Sequence, residues 1–208
     1  MSLPQTREIV FVLGRTGSGK SHWARKFLSG RQRLFCFDPF AETPGVNFAY
    51  SDEQLIDQYD AVCEREDERN VRPVNFSIGS TNPDHADVLG AMAFERGHCM
   101  LSLEELSLIF PRRQALPEWC RDLTFLGRHR CCSMLLIAQR AKSIPIELRS
   151  QATRIVTFQQ TERLDVDWLR DYFGERAGEI PELDDFQCLD YDARAPREAR
   201  VKKYVAPA

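Results

Sequence analysis

The amino-acid sequence predicts an α/β fold of three layers, in which helices cover both faces of a mainly parallel β-sheet. Three observations lead to this prediction. Short apolar runs alternate along the chain with segments whose apolar residues recur at helical spacing. The first run, residues 9–13, is apolar throughout, as expected of a strand that is buried on both faces. No linker, internal repeat or low-complexity tract interrupts the sequence, which favours a single domain over residues 1–208.

Composition and charge are those of an ordinary globular protein, with 43% hydrophobic residues, 28% charged residues and a net charge of −3. This charge argues against a surface that is basic throughout, although a local basic stripe could still bind nucleic acid. Seven cysteines, none in a C-x-x-C pair, argue against a disulfide framework or a zinc site and fit a reducing cytosol. The longest apolar stretch, residues 131–138, is far shorter than the ~20 residues of a membrane helix, so no transmembrane segment is expected.

Residues that favour helix ends and turns set the expected bounds of the elements. Ser51 and Gln54 form a capping box, Asp84 and Gly97 bracket a further helix, and Pro117 suits the first turn of another. We therefore expect strands at residues 9–13, 34–37, 73–78, 98–103, 132–138 and 154–158, and helices at 19–30, 51–63, 84–97, 117–127 and 162–173. Two terminal strands, 186–190 and 199–205, are expected to pair as a C-terminal β-hairpin.

The most informative motif lies between the first strand and the first helix. Residues 14–21 match G-x-x-x-x-G-K-[ST] completely, and average residue usage gives such a match by chance in under about 1% of chains this long. The motif predicts a P-loop that binds ATP and Mg²⁺, because backbone N–H groups at a helix amino terminus attract phosphate. Lys20 would reach the β- and γ-phosphates, and the Ser21 hydroxyl would hold Mg²⁺. The predicted nucleotide-binding residues are Gly14, Arg15, Thr16, Gly17, Ser18, Gly19, Lys20 and Ser21.

Two adjacent acids follow the strand predicted at residues 98–103. A P-loop hydrolase needs one acid at the end of a buried strand to position Mg²⁺, and a base that orients the attacking water. Glu104 is expected to serve the metal and Glu105 the water. The first acid in such enzymes is usually Asp, but the longer Glu104 side chain can still reach the water shell of the metal.

Gln139 is a further candidate at the end of a strand. It follows the apolar strand predicted at residues 132–138. An amide can donate to a phosphate oxygen and accept from water at the same time, so it is suited to sensing a γ-phosphate. We therefore place Gln139 with Glu105 among the predicted catalytic residues.

These motifs together resemble the FtsK–HerA branch of P-loop motor ATPases, and within it the small genome-packaging ATPases of membrane-containing icosahedral viruses. The resemblance covers residues 9–160. Its last segment is the most discriminating, because a Gly-Arg pair precedes a strand that ends in Ala-Gln-Arg. The segments that carry it are GRTGSGKS at 14–21, FDP at 37–39, MLSLEE at 100–105 and GRHRCCSMLLIAQR at 127–140.

The resemblance implies roles and partners that the residues alone do not establish. It makes Arg128 an arginine finger that acts across a subunit boundary and Gln139 the sensor, with Arg130 and Arg140 as rival fingers. It implies a homo-oligomeric ring that moves double-stranded DNA without sequence preference. It also implies a location in the host cytoplasm or with the virion, and capsid or membrane-vertex proteins as further partners.

A basic loop after the two acids offers a place for DNA contacts. Residues 110–114 carry two adjacent cations, Arg112 and Arg113, on a chain stiffened by proline, which suits contacts with phosphates. An exposed surface turn explains this composition nearly as well. The sequence contains no helix-turn-helix or zinc module, so sequence-specific recognition is not indicated.

Two other functions remain open on the sequence alone. A small-molecule or nucleotide kinase can also be a P-loop protein of this size, and a nonenzymatic scaffold could use ATP as an assembly signal. Such kinases usually carry an arginine-rich lid and need no base beside the acid that binds the metal. Glu104, Glu105 and Gln139 therefore favour hydrolysis over phosphate transfer to a second substrate.

Overall fold

The structure is a computed structural model that describes residues 6–69, 74–110 and 116–206. Its strands are β1 (Ile9–Leu13), β2 (Arg33–Phe37), β3 (Asn47–Ala49), β4 (Phe76–Ser80), β5 (Met100–Leu103), β6 (Ser133–Ala138), β7 (Arg154–Thr157), β8 (Gln187–Asp192) and β9 (Val201–Val205). They form a nine-stranded sheet in the order β3-β4-β2-β5-β6-β1-β7-β8-β9. The pairs β1–β7, β2–β4, β2–β5 and β3–β4 are parallel, whereas β7–β8 and β8–β9 are antiparallel. The predicted α/β class, mainly parallel sheet and terminal hairpin are thereby confirmed.

The helices alternate with the strands as expected of this fold class. Most predicted elements are present, and their ends differ from the expected ones by a few residues. Short 3₁₀ segments lie at Ala141–Ser143, Gly174–Glu182 and Arg197–Ala199. The α-helices of the described residues are α1 (Lys20–Leu28), α2 (Asp52–Arg69), α3 (His85–Arg96), α4 (Leu106–Ile109), α5 (Glu118–Phe125), α6 (Ile146–Arg149) and α7 (Arg163–Phe173).

The described residues form two compact units. The first comprises residues 6–7, 29–69, 74–104 and 116–134, and it contains strands β2 to β5 with helices α2, α3 and α5. The second comprises residues 8–28, 105–110 and 135–206, and it contains β1, β7, β8 and β9 with helices α1, α4, α6 and α7. The expectation of a single domain over residues 1–208 stays a prediction.

The start of α2 follows the predicted capping box. The N–H of Gln54 donates to Ser51 Oγ at 3.2 Å, and Gln54 Oε1 accepts from the N–H of Tyr50 at 2.9 Å. The start of α3 differs from the expected one, because the Asp84 side chain makes no capping bond. Asn82 Oδ1 instead accepts from the N–H of Asp84 at 3.1 Å, which forms the turn ahead of that helix.

Strand bounds near the sheet edge also differ from those expected. The strand predicted at residues 73–78 is β4, and Pro73 itself lies outside the described residues. Strand β3 was not expected at all. Its 3 residues are too few to show an alternating pattern, and it is defined by parallel pairing with β4.

Helix α5 is fixed against α3 in the first unit. A Cβ added at Gly90 would lie 2.2 Å from Trp119 Cε3, so the indole packs where only glycine leaves room. The Trp119 Nε1–H donates to Asp87 Oδ1 at 2.6 Å, which satisfies the polar end of the ring. This contact holds the helix whose carboxyl end leads to Arg128.

Candidate functional site

The P-loop connects β1 to α1 within the second unit. Strand β1 is buried along its length, so the turn starts from a fixed strand end. Gly17 has φ of 80°, which residues with a Cβ rarely adopt, so the turn requires glycine there. The predicted nucleotide-binding residues follow one another through the turn: Gly14 after β1, exposed Arg15, Thr16 and Gly17, buried Ser18, half-buried Gly19, and Lys20 and Ser21 in the first turn of α1.

Lys20 is the cation inside this turn. The residue is 8% exposed, and its Nζ donates to the carbonyl oxygen of Arg15 at 2.8 Å. The Ser18 hydroxyl donates to the same oxygen, also at 2.8 Å. An ammonium group carries three donors, so phosphate oxygens can take the place of a carbonyl without movement of the backbone. Phosphate binding by Lys20 stays a prediction.

The Arg15 side chain ties the P-loop to other parts of the second unit. Its Nη2 lies 2.5 Å from Asp185 Oδ1, and its Nε donates to Gln159 Oε1. The Arg15 N–H also donates to the Gln159 carbonyl at 3.1 Å. Both partners of the ion pair are about half exposed, so the pair adds little stability. Its effect is to place residues 159 and 185 beside the loop.

Glu105 and Gln139 lie together in the second unit. Gln139 Nε2 donates to Glu105 Oε2 at 3.0 Å, and the Ser107 hydroxyl donates to the other carboxylate oxygen at 2.7 Å. Glu105 has φ of 54° and ψ of 66°, a left-handed conformation that is unusual for a residue with a side chain. Such outliers concentrate at functional sites, where the surrounding structure holds them in place.

Gln160 supports Gln139, and the sequence analysis missed it. It is 3% exposed, and its Nε2 donates to the Gln139 carbonyl at 2.9 Å, which fixes the backbone at the end of β6. Two adjacent amides after the strand predicted at residues 154–158 could have pointed to it. A strand-end amide signals little by itself, because the contact it makes depends on which strands are neighbours.

Glu104 lies in the first unit, directly after β5. It is 8% exposed, and its N–H donates to the Phe37 carbonyl at 2.9 Å, in continuation of the β2–β5 ladder. Burial raises the pKa of the Cys36 thiol to about 12, and the carboxylates of Asp38 and Glu104 add to the rise. Glu104 therefore belongs to a buried, negatively charged strand end, which suits a cation.

Asp38 follows β2, the strand that pairs with β5, and its carboxylate accepts hydrogen bonds from the next turn. Its Oδ1 accepts from the Phe40 N–H at 2.9 Å, and its Oδ2 accepts from the Glu42 and Thr43 N–H groups, each at 2.9 Å. A carboxylate bonded in this way holds the turn after β2. The FDP segment is thus explained by local structure.

The three candidate arginine fingers differ in what their side chains contact. Arg130 Nε donates to the Phe94 carbonyl at 3.0 Å, at the carboxyl end of α3. Arg140 Nε donates to buried Asp165 at 2.9 Å. Arg128 is exposed, in the turn between α5 and β6, and within the described ranges its side chain shows no hydrogen bond or ion pair. Arg128 alone of the three is available to a group from outside the chain.

The two arginines predicted to contact DNA, Arg112 and Arg113, lie outside the described residues. Their contacts with DNA stay a prediction.

In the parts of the chain that the structure describes, no three His, Cys, Asp or Glu residues cluster as metal ligands. Mg²⁺ at phosphate sites is usually bound through one or two protein ligands with phosphates and waters, so Ser21 and Glu104 stay the predicted pair. Over the same residues, no helix is both long enough and apolar enough to cross a membrane.

Comparison with known proteins identifies similar folds. No protein-family model matches the sequence, and no curated protein matches it. The genome packaging NTPase B204 from Sulfolobus turreted icosahedral virus 2, in complex with ATP-gammaS, is 19% identical, with a TM-score of 0.72 over 95% of this chain and 96% of that chain. B204 described as the DNA-packaging ATPase from Sulfolobus turreted icosahedral virus is also 19% identical, with a TM-score of 0.66 over 98% of both chains.

A third solved structure extends the comparison beyond viruses. VirB4 of Thermoanaerobacter pseudethanolicus is 11% identical, with a TM-score of 0.61 over 100% of this chain and 91% of that chain. At these identities the likeness establishes the fold. The described residues share the fold of these solved structures, which confirms the predicted α/β fold with its mainly parallel sheet.

Proposed function

We propose that this chain is an ATP-hydrolysing motor that moves double-stranded DNA, as a homo-oligomeric ring that packages a viral genome. The observation that carries the proposal is a pair of arrangements in one compact unit. Buried Lys20 lies inside a P-loop turn, and Glu105 is hydrogen-bonded to Gln139. Two solved B204 structures, described as a genome packaging NTPase bound to ATP-gammaS and to AMPPCP, support this reading through their shared fold.

Nucleotide binding rests on the turn before α1. When a nucleotide binds, the Lys20 ammonium group leaves the Arg15 carbonyl and contacts the β- and γ-phosphates. The backbone N–H groups from Gly17 onward donate to the same phosphates. Ser21 and Glu104 would hold Mg²⁺, which would neutralise charge on the phosphates. The residues present fit this ion, since hydroxyl and carboxylate oxygens are its usual protein ligands.

Hydrolysis rests on Glu105 and Gln139. The Glu105 carboxylate takes a proton from the attacking water, and its two hydrogen bonds, from Ser107 and Gln139, hold it in one orientation. The amide of Gln139 has both a donor and an acceptor, so it can contact the γ-phosphate and the water. Gln160 keeps the backbone of Gln139 in place. Small-molecule kinases of this size do not require a base beside the acid that binds the metal.

Arginine residues connect the subunits of the oligomeric ring and contact the DNA. Arg128 is exposed without a side-chain partner in the described ranges, so it is suited to the γ-phosphate bound by a neighbouring subunit. Arg130 and Arg140 are bonded within the chain. Arg112 and Arg113 contact the DNA backbone, which carries charge but no sequence information.

Phosphate release tests the proposal. The wild-type chain should release phosphate from ATP with water as the sole acceptor, and double-stranded DNA should increase the rate. Lys20→Ala should lose nucleotide binding or hydrolysis, because it removes the buried cation of the turn. Release that needs a second small-molecule acceptor would indicate a kinase. Binding of ATP that changes the native mass without any turnover would indicate a scaffold.

A further inference from the structure

Phe186 has an unusual backbone and lies against the P-loop. It precedes β8 with φ of 64°, a left-handed conformation that bulky residues rarely adopt. Two backbone hydrogen bonds maintain it: the Phe186 N–H donates to the Ser18 carbonyl at 2.9 Å, and the Ala206 N–H donates to the Phe186 carbonyl at 2.6 Å. Strain of this kind, held by its surroundings, is often associated with a functional position.

The aromatic ring of Phe186 lies against Gly19, the glycine that precedes α1. A Cβ added at Gly19 would lie 2.8 Å from Phe186 Cδ1 and 3.3 Å from Phe186 Cα. Any other residue at position 19 would therefore displace the ring or the loop. Gly19 also has φ of 107°, so its conformation and its surroundings both require glycine.

Phe186 is also open to solvent over a large part of its surface. Phe186 is 44% exposed, although it is a large apolar side chain fixed beside a polar turn. An aromatic neighbour is His22 in the first turn of α1, with ring centroids 6.2 Å apart in an edge arrangement. Phe186 therefore lies near the first turn of α1, which contains Lys20 and Ser21.

A nucleotide bound to the P-loop would extend along the first turn of α1. Lys20 contacts the β- and γ-phosphates of a P-loop nucleotide, while the first turn of the helix contacts the phosphates nearer the sugar. The sugar and the base leave the phosphate chain beyond that turn. A flat apolar ring at this point matches the flat apolar face of a base, and stacking on a rigid ring costs little conformational entropy.

We propose that Phe186 is the platform on which the base of a purine nucleoside triphosphate stacks, an inference that rests on the proposed nucleotide binding by the P-loop. Stacking depends on the area of the base and not on its hydrogen-bonding groups. The platform should therefore favour purines over pyrimidines and discriminate weakly between adenine and guanine. Its attachment to the Ser18 carbonyl fixes its distance from the phosphates.

Binding measurements on the full chain separate base from phosphate contacts. Affinities for ATP, CTP and inorganic tripolyphosphate, each with Mg²⁺, would be measured by calorimetry for the wild type, Phe186→Leu and Phe186→Ala. Loss of a stacked base weakens binding about 5-fold to 150-fold, so ATP should bind both variants that much more weakly. Tripolyphosphate should bind all three proteins equally, and the preference for ATP over CTP should shrink in both variants. Phe125→Leu is the matched control, because Phe125 is 53% exposed but lies in the first unit.

A second variant keeps the platform and guards against loss of folding. Phe186→Trp should retain ATP affinity, and ATP but not tripolyphosphate should change its indole fluorescence beyond the response of the wild-type tryptophans. Equal weakening of ATP and tripolyphosphate in Phe186→Leu would mean that Phe186 only shapes the P-loop, which overturns the proposal. Unchanged ATP affinity would overturn it as well. If the wild type binds neither ligand, the failure lies in the nucleotide-binding function itself.

Discussion

Replacement of Arg128 by alanine should slow turnover strongly and leave the fold unchanged. The Arg128 side chain makes no hydrogen bond or ion pair within the described ranges, so its loss should leave the unfolding free energy nearly the same. An arginine finger is worth roughly 10³ to 10⁵ in rate. We therefore expect Arg128→Ala to bind ATP normally and to hydrolyse it slower by about that factor.

Arg130 provides the matched control for Arg128, because it lies two positions away and is also exposed. Its guanidinium donates to the carbonyls of Phe94 and Glu95, which end α3. Loss of these bonds should cost about 1–2 kcal/mol after allowance for exposure. For a chain of this size that lowers Tm by about 2–4 °C per kcal/mol. Arg130→Ala should thus be less stable and still active while folded.

Action across a subunit boundary can be tested by mixing two inactive variants. Arg128→Ala keeps the base and Glu105→Gln keeps the finger. An equal mixture in a ring gives about one quarter of interfaces with both groups intact, so part of the activity should return. Wild-type turnover in Arg128→Ala, or loss of turnover in folded Arg130→Ala, would refute the assignment. A mixture that recovers nothing would refute the action in trans.

Two further predictions concern stability in the first unit. Gly90→Ala should lower the unfolding free energy in urea by about 1–3 kcal/mol, because its Cβ would lie 2.2 Å from Trp119, and unchanged stability would refute the contact. Burial raises the pKa of Glu66, but hydrogen bonds from Arg33 and the Val74 N–H outweigh it, so the pKa lies below its usual value. A depressed pKa stabilises the fold above the unfolded pKa of about 4.3, so Glu66→Gln should be less stable near neutral pH. Its deficit in urea should shrink as the pH falls below about 4.3, and a deficit that does not vary with pH would contradict this cause.

The parts of the fold that local sequence determines were predictable. The Ser51–Gln54 cap and the glycines of the P-loop depend on a few neighbouring residues, and the structure contains both. The predicted strands β1, β2, β4, β5, β6 and β7 are also present, because buried parallel strands are rich in apolar residues. The short edge strand β3 was not predictable, since a partner strand defines it.

In the candidate site, too, the sequence predicted residues at strand ends but not the contacts between distant segments. Glu105 and Gln139 follow apolar strands, so the sequence could bring them to strand ends but could not show that they bond at 3.0 Å. Gln160 and Phe186 were missed because their importance arises from contacts with distant segments. The left-handed conformations of Glu105 and Phe186 run against residue preference and are imposed by tertiary structure.

The most direct test of the account compares bound ATP with released phosphate in Glu105→Gln. The substitution preserves size but removes the group that accepts a proton from water, a contribution of roughly 10² to 10⁴ in rate. ATP retained on the protein and phosphate released would be measured on the same sample, with Glu104→Gln alongside. Glu105→Gln should hold ATP as the wild type does and release phosphate slower by about that factor. Wild-type phosphate release from Glu105→Gln, with hydrolysis lost instead in Glu104→Gln, would contradict the assignment of Glu105 as the catalytic base.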